Sequence, residues 1–411
     1  MNAFPLTASS EGGVIEGLGR LMTLAFQGAD LGPLAARLIE RAEANQADAG
    51  ALIDLSIVLQ LQGLRELGIA TQAQALTTRR LYQVRAARQP QIRLLAIAAP
   101  GDLMTNTPLE FLVGDSDVSL SVLYLAANEP VPLELPAHDA VFIAVAHSEP
   151  TLSLLAAIEA ASPAWGRRLI NSPARIPHTG RTEAFKVLAG APGVSIPATA
   201  RASRRALAGV ATGESTIDTV LADAAFPLIV RPVDSHAGNG LEKIDAPGDI
   251  EAYLTTATAE EFFVSRFIDY RDADGMFRKY RIVLIDGVAY PGHMGISADW
   301  MIHYLNAGMT ESAAKRSEEE RFMRDFRTGF GLRHEVALQA LAERFGLDYL
   351  VIDCGETIEG ELLVFEVCTG AVVHAMDPVD LFPYKRRHMD EIFAAFRSLV
   401  VRSMVGGSTA A

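Results

Sequence analysis

Three short apolar runs constrain this chain more than anything else in it: RLLAIAA (93–99), VSLSVLYL (118–125) and AVFIAVA (140–146). Each is a short, mostly apolar run bounded by Gly, Pro, Asp or Ser, although Ser119 and Ser121 interrupt the second. Strands of that kind need cover on both faces, so they predict a parallel sheet packed between helices. A helix over 151–161 with Ser148 as its N-cap, and a fourth strand at 168–171, complete a small α/β domain over residues 91–178.

Residues 1–90 read differently. Leu34, Leu38, Ile39 and Ala42 recur at helical spacing, Leu52, Leu55, Val58, Leu59 and Leu61 follow, and a third amphipathic stretch covers 66–84. Breaks at 44–49 and 62–63 suit helical hairpins. The expectation is an all-helical segment that resembles a fragment of a tetratricopeptide-like repeat. Repeat arrays need about three units, so the segment is either a helical cap on the next domain or a surface for a protein partner or self-association.

Beyond residue 178 helix and strand alternate in another style. Helices are expected at 182–191, 312–326, 334–345 and 387–401. Strands are expected at 226–233 and 261–269, then over 278–296 with a turn at Asp286-Gly287, and in a hairpin over 349–368. A length of 411 residues suits two to four domains. The net charge of −14 excludes a general nucleic-acid binder, since phosphate backbones need clustered Lys and Arg. No apolar run is long enough to span a membrane, and the first residues lack the charged-then-apolar pattern of a secretion signal. Two cysteines, Cys354 and Cys368, make neither a disulfide framework nor a cysteine-rich zinc site, so a cytoplasmic protein is expected.

Chemistry concentrates in three pieces. LIVRPVDSHAGNGLEKI (228–244) puts Arg231 at the end of a buried strand, before a loop whose Gly238 and Gly240 let backbone N–H groups approach phosphate oxygens. FFVSRFID (262–269) is an apolar strand leading to a bend, where backbone groups can meet an adenine edge. The hairpin carries Asp353 and Glu366, with Glu366 and Cys368 on one face by strand period. Hard carboxylate oxygens suit Mg²⁺ bridging phosphates, although a salt bridge would explain them too.

In order, RLINSPARI, GRTEAFKVLAGAPGVSIPAT, FPLIVRPVDSHAGNG, FFVSRFID, RKYRIVLIDG, LDYLVID and LLVFEVC resemble the ATP-grasp superfamily, over residues 93–405. The branch they resemble is the glutathione synthetase and ribosomal-protein glutamate ligase type. The resemblance implies an α/β plus α+β fold. Residues 91–178 would form a pre-ATP-grasp domain, 179–265 the first ATP-gripping lobe, and 266–411 the second lobe with the metal site. It places Arg181 and Arg231 where the family has phosphate-binding cations, usually lysines. It puts His236, Gly238, Asn239 and Gly240 in the loop over the phosphates, and Ser265, Arg266, Phe267 and Ile268 at the adenine hinge. Arg281 would face the transferred phosphoryl group, and Asp353 and Glu366 would hold magnesium. His303, Tyr304 and Asn306 stand where related ligases place a substrate loop, though so dense a group of His, Trp, Tyr and Met equally suits packing. His147 follows a strand end, where open α/β sheets bind ligands. His374 follows the metal strand, and a histidine there is more often a satisfied core residue.

The implied activity is an ATP- and Mg²⁺-dependent carboxylate–amine ligase acting on small-molecule or peptide substrates. One departure stands out: the family has Asn two residues beyond the metal Glu, and this chain has Cys368, a poor ligand for hard Mg²⁺. A nucleotide-binding sensor or scaffold that has lost catalysis is therefore the alternative.

Overall fold

The structure, a computed structural model, describes residues 12–233, 235, 238–303 and 306–405. It divides into two units, residues 1–177, 347–350 and 368–411 forming the first, and residues 178–346 and 351–367 the second.

The first unit opens with β1 (Val14–Ile15), four helices α1 (Gly17–Phe26), α2 (Gly32–Ala44), α3 (Ala49–Leu61) and α4 (Arg65–Thr78), and β2 (Leu81–Val84). It continues with β3 (Ile92–Ala98), α5 (Leu109–Val113), β4 (Val118–Tyr124), β5 (Ala140–Ile143), α6 (Leu152–Ala161) and β6 (Leu169–Ile170). The strands form one sheet in the order β1-β2-β4-β3-β5-β6. The pairs β3–β4, β3–β5 and β5–β6 are parallel, as the apolar runs require. Ser148 sits where the α6 cap was expected, its N–H donating to the Thr151 hydroxyl, but one short 3₁₀ turn precedes the α-helix.

Residues 1–90 are not all helix. The amphipathic pattern read over 66–84 stops at Thr78, and Leu81–Val84 and Val14–Ile15 become strands of the sheet. A four-residue segment carries too little periodicity to distinguish the two states, and β2 gains ladder hydrogen bonds against β4. The Tyr82 hydroxyl also donates to the carbonyls of Ala75 and Arg79, tying the strand to the end of α4. Helices α1 to α4 share a single core with Ile15 and Tyr82. Within it α3 is buried nearly all round, as expected of a helix apolar on every side. Its N-cap is Asp48, which accepts from the Ala51 N–H at 3.0 Å. Asp48→Ala should cost about 1 kcal/mol in a denaturant melt, and an unchanged midpoint would mean the cap is redundant.

The second unit begins with α7 (Arg181–Leu188), β7 (Val194–Ser195), β8 (Thr199–Ser203), α8 (Arg204–Thr212), β9 (Leu228–Pro232), β10 (Glu242–Ile244), α9 (Pro247–Thr256) and β11 (Glu261–Arg266). Four of these strands make an antiparallel sheet, β10-β9-β11-β8, whose core also takes in Leu207 and Val210 of α8 and Ile250 and Tyr253 of α9. Next come β12 (Phe277–Ile285), β13 (Val288–Ser297), α10 (Ala313–Arg324), α11 (Phe330–Arg333), α12 (Glu335–Phe345), β14 (Tyr349–Glu356) and β15 (Leu362–Cys368). They build a second sheet, β13-β12-β14-β15-β7. The β12–β13 turn has φ of 52° at Asp286 and 78° at Gly287, the two positive values that a tight Asp-Gly hairpin needs. The last helix, α13 (Lys385–Val405), belongs to the first unit, where Phe396 meets the rings of Phe142 and Tyr349. Among the described residues no helix is long and apolar enough to cross a membrane.

Candidate functional site

In the second unit, strand alternation on β12 puts Lys279 and Arg281 on one face, and both reach Asp353 on β14. Arg281 donates from Nε to Oδ1 at 2.8 Å and from a terminal nitrogen to Oδ2 at 3.0 Å. Lys279 Nζ lies 2.8 Å from Oδ2. Asp353 is 6% exposed. Burial alone would raise its carboxyl, but Arg281 and Lys279 outweigh that and hold it well below the ordinary carboxylate value.

Glu366, on β15, forms the second centre. Arg181, the first residue of α7, pairs with its Oε1 at 2.9 Å. Burial again acts upward on the carboxyl, yet Arg181 and Arg231 bring it below its usual value. Arg231, on β9, is the unusual cation. It is 8% exposed, and its side chain donates to the Ser235 hydroxyl and carbonyl, but it makes no ion pair among the described residues. Burial, then the neighbouring Arg181, pull its guanidinium down to about 10. A buried arginine beside another arginine, with its charged form disfavoured, is a group that gains from an incoming anion.

The two centres interact: Asp353 and Lys279 act electrostatically on Glu366. Arg181, Arg231, Lys279 and Arg281 thus stand against two carboxylates, an excess of positive charge in a chain whose net charge is −14. His303 borders the same group, its imidazole lowered by burial and then by Lys279 and Arg281. Lys279 was not among the residues singled out from sequence, although its place two residues before Arg281 on a strand is a visible signal.

The other expected residues are more dispersed. Gly238 and Gly240 have φ of 78° and 65°, and a Cβ on Gly240 would meet the Pro232 ring at 2.8 Å, so glycine is required there. Asn239 is exposed. Ser265 and Arg266 end β11, and the Phe267 N–H is already donated to the Pro227 carbonyl, leaving Phe267 to stack edge-on with Trp300. Asn306 closes its own turn, its Oδ1 accepting from the His303 N–H. His147 lies half-buried after β5 in the first unit. There too, His374 packs between the rings of Phe26 and Phe111 and its Nδ1 accepts from the Met376 N–H. His236 and Tyr304 lie outside the described residues. Cys354 and Cys368 form no disulfide, and next to Cys368 the buried Thr369 hydroxyl has no hydrogen-bond partner among the described residues.

Among the described residues no three His, Cys, Asp or Glu side chains gather as a metal cage. Magnesium, however, commonly takes one or two carboxylates together with substrate phosphates and water. Asp353 and Glu366 fit that donor set, provided that phosphate oxygens arrive to take over the cations now paired with them.

No protein-family model and no curated protein sequence matches the chain. Among solved structures, it is similar to the VanG D-Ala:D-Ser ligase from Enterococcus faecalis, at 13% identity and a TM-score of 0.46, covering 75% of this chain and 99% of that one. It is also similar to a D-alanine–D-alanine ligase from Bacillus anthracis complexed with ATP, at 13% identity and a TM-score of 0.44, covering 76% and 97%. A RimK domain ATP-grasp protein from Sphaerobacter thermophilus follows at 14% identity and a TM-score of 0.42, covering 75% and 99%. Superpositions this loose at such identity carry no weight for this chain's activity, which has to come from its own residues.

Proposed function

We propose that this chain is an ATP-grasp ligase that joins a carboxylate to an amine at the expense of ATP. The observation that supports the reading best is the cluster of Arg181, Arg231, Lys279 and Arg281 around Asp353 and Glu366. In it one buried cation, Arg231, makes no ion pair among the described residues and hydrogen-bonds there to a hydroxyl and a carbonyl. Arg231 and Arg181 would receive the phosphates of ATP, and Arg281 and Lys279 would neutralise charge developing on the transferred phosphoryl group. Asp353 and Glu366 would hold Mg²⁺, which would supply positive charge to offset that of the phosphates. The substrate carboxylate attacks the terminal phosphorus and displaces ADP, leaving an acyl phosphate. The amine then attacks the acyl carbon, forming the amide and releasing phosphate and a proton. No protein nucleophile is required, so these side chains bind, orient and neutralise. The small- or peptide-sized substrates, and a cytoplasmic setting, remain part of the same proposal.

The test is ADP release by the full chain with ATP, Mg²⁺ and a panel of amino acids, dicarboxylates and short peptides, with hydroxylamine present. A ligase should release ADP only with a suitable carboxylate and trap it as a hydroxamate. ADP release indifferent to every carboxylate, with no hydroxamate, would point to a different phosphoryl acceptor.

A further inference from the structure

The first unit holds a cavity of about 60 Å³ between the β3–β4 face of its sheet and helices α1, α3 and α4. Its floor is apolar, with Ala96 and Ala98 of β3 and Val122 of β4, and its other side carries oxygen atoms. Among the described residues, Thr107, 4% exposed, has a hydroxyl without a hydrogen-bond partner, and Gln60 Oε1 is equally orphaned. A buried oxygen left unpaired costs about 1–3 kcal/mol, so two in one small space are a specific feature rather than noise.

Glu110 lines the same space. Its carboxylate takes its own backbone N–H and, through Oε1, a long 3.4 Å bond from the Leu18 N–H. Helix α1 can approach it because Gly17 and Gly19 face it; a Cβ on Gly19 would sit 2.8 Å from Glu110 Cβ. Burial raises the Glu110 carboxyl above its ordinary value, and its charge and that of Asp54 both act on the buried Tyr124 phenol beside it. Among the described residues no lysine, arginine or histidine lines the cavity. The site therefore offers acceptors and potential negative charge, with nothing to receive an anion.

We propose that this cavity binds a small primary ammonium compound, with the charged nitrogen on Glu110 and its hydrogens shared with Thr107 Oγ1 and Gln60 Oε1. The volume admits about four or five atoms of water size, which means a short aliphatic amine. A carboxylate on the ligand would find no cation, so a zwitterionic amino acid is disfavoured. The proposal does not depend on the ligase reading, and its failure would leave that reading intact. Water filling the cavity is the competing outcome: it would satisfy the same oxygens but shows no preference for charge.

Three probes of similar size separate these outcomes. Ligand-observed NMR or calorimetry on the full chain should show n-propylammonium binding at least about tenfold tighter than n-propanol, with propionate silent. Glu110→Gln keeps the acceptor towards Leu18 and should lose about that tenfold for the ammonium while leaving the alcohol unchanged. Thr107→Val, which deletes only the orphaned hydroxyl, should weaken the ammonium severalfold and carries the test if Glu110→Gln does not fold. Equal affinity for ammonium and alcohol, or no saturable ammonium binding by about 50 mM, would overturn the proposal. So would ammonium affinity unchanged in both variants.

Discussion

Arg231→Ala should remove half or more of the thermal stabilisation that a non-hydrolysable ATP analogue gives this protein, while leaving the ligand-free protein nearly as stable as before. The two halves of that expectation have one cause. In the free protein the Arg231 guanidinium is buried and close to Arg181, and its value falls to about 10. The charged form it carries at neutral pH is thus held in surroundings that disfavour it. Truncation loses hydrogen bonds to Ser235 and the attraction of Glu366, but it also ends the burial of a charge and its repulsion with Arg181, so the opposing effects leave a small net change without ligand. A phosphate reverses this balance. Charge-assisted hydrogen bonds contribute about 1.5–3 kcal/mol each, or roughly ten- to hundredfold in affinity. An analogue at a hundred times its Kd stabilises the wild type by about 2.7 kcal/mol. At the same concentration the variant would retain about 1.4 kcal/mol or less. Differential scanning fluorimetry with and without the analogue reads both halves. A wild type that does not shift at millimolar nucleotide would sink the nucleotide site. A variant that unfolds without ligand would show Arg231 to be a structural cation instead.

The parts of the fold that could be read from sequence were those with long, unambiguous patterns. The runs at β3 and β5 are largely apolar on both faces and β4 is interrupted only by Ser119 and Ser121, and such strands have few other places to go. The Asp286-Gly287 turn was legible because its backbone requires two left-handed residues in succession. By contrast β1 and β2 are two and four residues long, and β2 follows directly on a helix whose periodicity runs up to it. Its identity comes from the partner strand β4, a tertiary fact.

The candidate site divides in the same way. Residue types at strand ends put forward Arg231, Asp353 and Glu366, with a salt bridge as the other explanation of the carboxylates, and the family resemblance added Arg181 and Arg281. Which cation meets which carboxylate depends on strand register and on the packing of α7, neither of which is local. Lys279 illustrates the limit: in the run Arg278-Lys279-Tyr280-Arg281 strand alternation puts Lys279 on the face of Arg281, but only the packed structure gives that face Asp353 and gives Arg278 its partners Asp272, Asp274 and Glu318.

Glu366→Gln should lower carboxylate-dependent ADP release by about a hundredfold, the usual scale for removing one electrostatic contributor to a transition state, while Cys368→Asn should leave it unchanged or raise it. The glutamine keeps the size of the side chain and loses the charge that pairs with Arg181 at 2.9 Å, so the fold survives and the affinity for a divalent ion does not. Position 368 stands on the same strand face as Glu366, where a thiol offers magnesium little and an amide oxygen would serve it better. Measuring ADP release for the three proteins against the same carboxylate panel separates two histories of this site. If the wild type turns over and Glu366→Gln does not, the chain completes its metal site without an amide at 368, and Cys368→Asn changes little. If the wild type is silent and Cys368→Asn alone releases ADP, catalysis has been lost at that one ligand and the chain binds nucleotide without using it. Silence in all three proteins, alongside an intact Arg231-dependent thermal shift, would leave nucleotide binding as the function and remove the ligase reading.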